Sequence, residues 1–219
     1  MVSYNSAHCF ARQGALLRAC PHVIVVDNGS DDGSAQQVSR HLPQARVLAL
    51  PRNLGFGAAN NRGLAQVATP FALLLNPDCD MQPQAIAALL EAARRWPDAA
   101  IVAPQLVEAG GGAEVNYRFA LTDWPARGAG AVGECCVGFV CGAAMLWRME
   151  RFTDVGWFDE RFFLYYEDDD LCLRLKQARR PMIIAPQVRA RHRSRGSVRG
   201  QRPWRAAYLR GYHPAQSKL

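Results

Sequence analysis

Long apolar runs are missing from this chain. No stretch approaches the roughly 18 consecutive apolar residues that a membrane span requires, and the residues after Met1 lack the basic and apolar segments of a secretory leader. Paired cysteines are missing too. The seven cysteines, Cys9, Cys20, Cys79, Cys135, Cys136, Cys141 and Cys172, are odd in number and form no Cys-x-x-Cys. That spacing argues against a structural zinc site and a secreted disulfide framework, and it fits a reducing cytosol. No zinc finger, RNA-recognition signature or helix-turn-helix spacing is present, so nucleic acid is not an expected partner. Internal repeats are absent. The expectation is a soluble, cytoplasmic chain.

What is present is a body large enough for one core. At 219 residues and 24.2 kDa, with 49% apolar and 21% charged residues, the chain reads as a single globular domain. The net charge of +7 is concentrated at one end. Residues 189–219 hold nine Lys or Arg and no acid, leaving 17 bases against 19 acids elsewhere. Such a tail is either a solvated surface or a contact for an anionic membrane face or a diphosphate.

The apolar pattern alternates between strands and helices. His22 to Val26 reads as a buried strand ending in Asp27-Asn28-Gly29-Ser30, Ser34 to Leu42 as a helix, and Arg46 to Leu50 as a second strand. Gly55 to Ala68 is a helix, Phe71 to Leu75 a strand ending at Asn76-Pro77-Asp78, and Pro83 to Trp96 an amphipathic helix with Ile86, Leu89 and Leu90 on one face. Ala100 to Pro104 and Met182 to Ala185 read as further strands. This rhythm predicts an α/β fold with a mostly parallel, Rossmann-like sheet and helices on both faces. Residues 108–134, rich in Gly and Ala, read as a mobile surface loop.

Two acidic clusters stand out. Asp78-Cys79-Asp80 follows a strand, where ligands of α/β sheets bind. Two carboxylates one residue apart can hold one hard cation that bridges phosphate oxygens. Asn-Pro-Asp is equally good turn chemistry, so the motif alone leaves both readings open. Glu167-Asp168-Asp169-Asp170 opens a helix. One or two acids there would cap free N–H groups. Four in a row beside Phe162-Phe163-Leu164-Tyr165-Tyr166 exceed that need, and mutual repulsion raises carboxylate pKa values toward those of a general base.

Several blocks, taken in order, resemble glycosyltransferase family 2: Val2-Ser3-Tyr4-Asn5-Ser6, Val26-Asp27-Asn28-Gly29-Ser30-Asp31-Asp32-Gly33-Ser34, and Asn53-Leu54-Gly55-Phe56-Gly57-Ala58-Ala59-Asn60-Asn61. Leu75-Asn76-Pro77-Asp78, Gly142-Ala143 and Phe158 to Asp168 are similar to its rhamnosyltransferase-like branch. The resemblance implies a GT-A fold and inverting transfer of a sugar from a nucleotide diphosphate donor, of UDP or dTDP type, to a hydroxyl of a glycan or lipid-linked acceptor. It implies that Tyr4, Asn5, Asp27, Asn28 and Asn60 contact the nucleotide, and that Asp78 and Asp80 hold Mg2+ or Mn2+ with His192 as a further ligand. It implies Asp168 as general base, with Glu167 and Asp170 as supporting acids. Residues 1–105 then form a nucleotide-binding half, 135–200 an acceptor and catalytic half, and 201–219 a basic tail suited to peripheral contact with the inner face of the plasma membrane.

Departures from the family pattern bear on stability and on the acceptor. Relatives carry a fuller first strand before the Tyr-Asn pair and extend past the position of Leu219, and Trp157 stands where a second glycine is common. The short first strand leads us to expect either a native start upstream of Met1 or marginal stability. A rival reading takes Gly55-Phe56-Gly57-Ala58-Ala59-Asn60 as a dinucleotide fingerprint, but Asn60 replaces its third glycine. Another is a non-catalytic nucleotide-sugar-binding relative.

Overall fold

A computed structural model of the chain describes residues 1–108, 111–114, 117–119 and 130–193. The basic tail at 201–219 lies outside them. In chain order the elements are β1 (Val2–Ser3), a 3-10 turn (Ala7–Cys9), α1 (Phe10–Arg18), β2 (Ile24–Asp27), α2 (Ser34–His41), β3 (Arg46–Ala49), α3 (Phe56–Leu64), β4 (Phe71–Leu75) and β5 (Cys79–Asp80). There follow α4 (Pro83–Arg95), β6 (Ile101–Val107), β7 (Ala113–Glu114), β8 (Tyr117–Arg118), β9 (Cys135–Val137), β10 (Phe139–Val140), β11 (Ala144–Arg148), a second 3-10 turn (Met149–Phe152), α5 (Glu167–Gln177) and β12 (Met182–His192).

The strands divide into a parallel sheet, β1-β2-β3, and a larger one ordered β4-β11-β6-β12-β5, with β7 on β6 and β9 on β12. The parallel pairing expected from the sequence holds in the first sheet and between β6 and β12. In the rest of the larger sheet it gives way to antiparallel pairing. Two of those pairings belong to β11, which follows the β8–β10 ribbon and inserts antiparallel between β4 and β6; β5, β7 and β9 also pair antiparallel, with β12 or β6.

The larger sheet is buried on both faces. Along β11, Ala144 and Leu146 join one cluster with Leu89, Ala92 and Ala93 of α4, while Met145 and Trp147 join the other with Leu171, Cys172 and Leu175 of α5. Period-two alternation between two apolar faces is what a sheet sandwiched by helices demands. Trp147 stacks on Phe152 with ring centres 4.1 Å apart and leans on Phe158, which meets Phe56 edge-on at 5.9 Å. This aromatic chain connects the core to the start of α3. A cavity of about 410 Å³ separates the two sheets, bordered by Met1, Val2, Ile24, Leu64, Phe71 and Leu73.

The structure adds two features to the expected pattern. Helix α1, in a stretch to which the sequence reading assigns no element, buries Phe10, Gln13, Leu16 and Leu17. The segment expected to be a mobile loop contributes β7 and β8, and Tyr117 and Arg118 are both buried; its residues 109–110, 115–116 and 120–129 lie outside the described ones. Strand β12 runs on to His192, well past Ala185.

One glycine ties the 53–56 turn to the 158–163 segment. Gly55 has φ +94°, a Cβ there would lie 2.3 Å from the Phe163 carbonyl oxygen, and the next amide, Phe56 N–H, donates to that same oxygen at 2.9 Å. Gly55→Ala therefore meets both a forbidden backbone region and a backbone clash. We expect it to lower stability by more than about 1 kcal/mol, measured by urea denaturation.

Candidate active site

The ends of β1 and β2 build the first part of the site. Asp27, 6% exposed, closes β2, and its Oδ1 accepts the Ser30 hydroxyl at 2.5 Å. Asn5, with φ +49°, laces the two strand ends together: its amide donates to Ser30 Oγ at 3.0 Å and its Oδ1 accepts the Asp31 amide at 3.0 Å. Tyr4 and Asn5 thus lie beside Asp27 at the carboxyl edge of the parallel sheet, where α/β folds take ligands. Asn28 is committed elsewhere. Its Nδ2 donates to Asn53 Oδ1 and the Gly55 carbonyl, and its Oδ1 accepts the Leu54 amide, so it holds the 53–55 turn. Asn60 turns back on its own helix to donate to the Phe56 carbonyl at 3.0 Å, and it borders the cavity between the sheets.

The glycines of the supposed dinucleotide fingerprint serve packing. Gly55 abuts the Phe163 backbone, and a Cβ on Gly57 would meet Phe158 Cβ at 2.9 Å. Both small residues admit the 158–163 segment.

The second part is the Asp78-Cys79-Asp80 turn. Asp78 is 3% exposed, and His192 Nε2 stands 3.7 Å from its Oδ1 because β12 pairs antiparallel with β5, setting His192 opposite Cys79. Asp80 accepts Gln13 Nε2 at 3.2 Å through Oδ1, and Arg193 Nε lies 3.6 Å from its Oδ2. Gln13 also donates to the carbonyls of Pro77 and Cys79, both at 2.9 Å, so one buried amide on α1 staples the whole turn. Cys79 is fully buried in the core. Burial pushes the nearby Cys9 thiol up to about 11, which leaves it protonated and unsuited to ligation. Among the described residues no three His, Cys, Asp or Glu side chains close a cage. Asp78 and His192 stand together, while Asp80 is engaged by Gln13 and Arg193.

The third part opens α5. Tyr165 and Tyr166 both have positive φ, at 68° and 67°, an arrangement that side-chain-bearing residues rarely adopt and that clusters at functional sites. The four acids that follow have different fates. Glu167 is 5% exposed, and burial, reinforced by the charge of Asp168, pushes its carboxyl well above the ordinary range. Asp168 is raised to about 6 by burial first and the charge of Asp169 second, against a partial offset from the Gly142 amide that donates to its Oδ2 at 3.1 Å. Asp169 is paired with buried Arg118. Asp170 binds Arg174 at 2.8 Å, and Arg174 also clasps the carbonyls of Val155 and Trp157. Asp168 combines half-burial with a carboxyl raised to about 6.

The second and third parts are joined. The Asn76 amide donates to the Ala143 carbonyl at 2.9 Å, so the strand end leading to Asp78 is tied to the Gly142 loop that holds Asp168. From the sequence Gln13 and Arg118 carry no signal, because each acts through a partner distant along the chain.

Comparison with known proteins follows the same lines. The family model described as Glycosyl transferase family 2 matches residues 7–150. An N-acetylglucosaminyl-diphospho-decaprenol L-rhamnosyltransferase of Mycobacterium tuberculosis is 32% identical over 222 residues, covering 87% of this chain and 71% of the relative. A pre-mycofactocin glycosyltransferase of the same species is 32% identical over 211 residues, with 42% of its length spanned. Among solved structures, the mannosyltransferase PcManGT from Pyrobaculum calidifontis, in complex with GDP-Man and Mn2+, superposes with TM-score 0.70 at 14% identity, covering 99% of this chain and 62% of that one. Residues 1–349 of S. aureus TarS superpose with TM-score 0.65 at 16% identity, covering 89% of this chain and 59% of that one. With its GT-A fold and two-thirds of its length matched by the family model, the chain belongs to glycosyl transferase family 2.

Proposed function

We propose that this glycosyltransferase moves a sugar, of the rhamnosyl type, from a dTDP- or UDP-linked donor to a hydroxyl of a glycan or lipid-linked acceptor, inverting the anomeric centre. The observation that carries the reading is Asp168, a half-buried carboxyl raised to about 6 and joined through the Gly142 loop to the strand end that leads to Asp78. The acceptor oxygen attacks the anomeric carbon, its proton passes to Asp168, and the bond to the donor diphosphate breaks. One base suffices, because a diphosphate leaves without a proton. Asp78, Asp80 and His192 would hold a divalent cation, Mg2+ or Mn2+, whose chemistry when bound is to neutralise charge on the leaving diphosphate. Asp27, with Tyr4 and Asn5 beside it, would receive the base and ribose. The name of the mycobacterial relative, which specifies a decaprenyl diphosphate sugar, supports a lipid-linked acceptor. No helix among the described residues is long and apolar enough to cross a membrane. Contact with a membrane surface would then fall to the basic residues that follow β12.

Asp168→Asn removes the proton acceptor while keeping shape. We expect kcat to fall by on the order of 10²- to 10⁴-fold, with donor affinity in calorimetry unchanged. In the unaltered protein kcat/KM rises with pH through about 6 as Asp168 ionises.

The same carboxyl has a cost in stability. Its folded value of about 6 lies above the ordinary 3.8, so the native state holds its proton more tightly than the unfolded chain does. The ionised form is disfavoured progressively as pH rises from 3.8 toward 6 and fully above it. Asp168→Asn should therefore melt higher than the parent at pH 7, with the advantage vanishing below about pH 4. A thermal-melt series across pH measures this.

A panel of UDP, dTDP and GDP with and without Mn2+ tests the donor assignment. We expect metal-dependent stabilisation by UDP or dTDP and its loss in Asp78→Asn. Equal response with and without metal counts against the cation.

A further inference from the structure

The acidic run at the start of α5 is held by a partner outside the family blocks. We propose that Arg118 is a positioning residue for Asp168: by pairing with Asp169 it takes up the adjacent charge and leaves Asp168 the carboxylate that receives the proton. This inference rests on the reading of Asp168 as the base.

Three observations converge. Arg118 is 6% exposed, its guanidinium is bonded to Asp169, and its Cζ lies 4.0 Å from the centre of the Phe139 ring. Strand β8, which carries it, pairs with β10 through Tyr117↔Val140 and Arg118↔Phe139, and the Gly138 amide donates to the Arg118 carbonyl at 2.8 Å. The same ribbon leads directly into Gly142, whose amide holds Asp168. One short ribbon therefore grips adjacent acids in two ways, a cation on Asp169 and a backbone dipole on Asp168. The ribbon itself is anchored by Tyr117, which is buried and accepts the Ala131 amide at 2.6 Å through its hydroxyl.

The other charged and titratable groups at this helix end do not substitute for Arg118. Glu167, on the same turn, is pushed toward its neutral form by burial. Asp170 is paired with Arg174, whose remaining nitrogens are spent on the 155–157 carbonyls. Cys172, buried beneath, has its thiol raised by burial and donates to the Val140 carbonyl at 3.7 Å. Arg118 is the cation bonded to Asp169, and Asp169 is the charge that pushes Asp168 upward.

The test follows the Asp168 carboxyl by 13C NMR in aspartate-labelled protein, assigned by its loss in Asp168→Asn. In Arg118→Gln the midpoint should move up by about one pH unit, since an adjacent opposite charge acts on this scale. Arg118→Lys, which keeps the charge, should move it less. Asp169→Asn leaves the guanidinium near Asp168 without a competing carboxylate and should move the midpoint down. It also serves as the decisive variant if Arg118→Gln does not fold. The double variant Arg118→Gln/Asp169→Asn should lie between the two singles. An unmoved midpoint in folded Arg118→Gln, or in Asp169→Asn, overturns the proposal. Turnover separates the two readings: if Asp168→Asn retains full transfer activity, the base assignment falls, whereas the carboxyl titration still reports on Arg118.

Discussion

Strand β11 is the constraint on which the site depends. By entering antiparallel between β4 and β6, it brings Ala143 against Asn76 and Gly142 against Asp168, so the loop before it is tied both to the strand end that leads to Asp78 and to Asp168 itself. The alternation of Ala144 and Leu146 on one face with Met145 and Trp147 on the other makes this position stable, since a one-residue slip would turn both sets to the wrong core. Packing thereby fixes the spacing between two groups of acids that repulsion would separate.

Around that strand, polar groups are spent on holding other polar groups. Gln13 staples the Asp78 turn, Asn28 holds the 53–55 turn, Arg174 bonds Asp170 and clasps the Val155 and Trp157 carbonyls, and Arg118 meets Asp169. Buried polar side chains are costly unless bonded, so each of these positions is specified by its partner as much as by its own backbone. The consequence is a rigid frame around Asp168 and Asp78. Within the run that opens α5, the frame pairs Asp169 and Asp170 with arginines and gives Asp168 the Gly142 amide.

Much of this was legible in the chain. Asp27 and Asp78 were placed at strand ends by the apolar runs before them, and the acids from Glu167 onward by the helical spacing of Leu171 and Leu175. Boundaries shifted by a few residues, as at Phe56–Leu64 and Ile101–Val107. Helix α1 was missed because Gly14 and the polar Arg12 and Gln13 blur its period, and tertiary burial of Gln13 supplies what propensity does not. The segment around Tyr117 and Arg118 read as loop because two-residue strands carry no periodicity, yet both residues are buried.

The sequence by itself determined the α/β class, the family, and which acids were candidates, because apolar periodicity and motif order are local properties. Tertiary structure alone decided the surroundings of those acids. It buried Glu167, paired Asp169 with Arg118 and Asp170 with Arg174, turned Asn60 into its own helix, and left Asp168 half-buried with a raised pKa. Desolvation and charge pairing depend on residues far apart in the chain, and only the folded molecule brings them within reach.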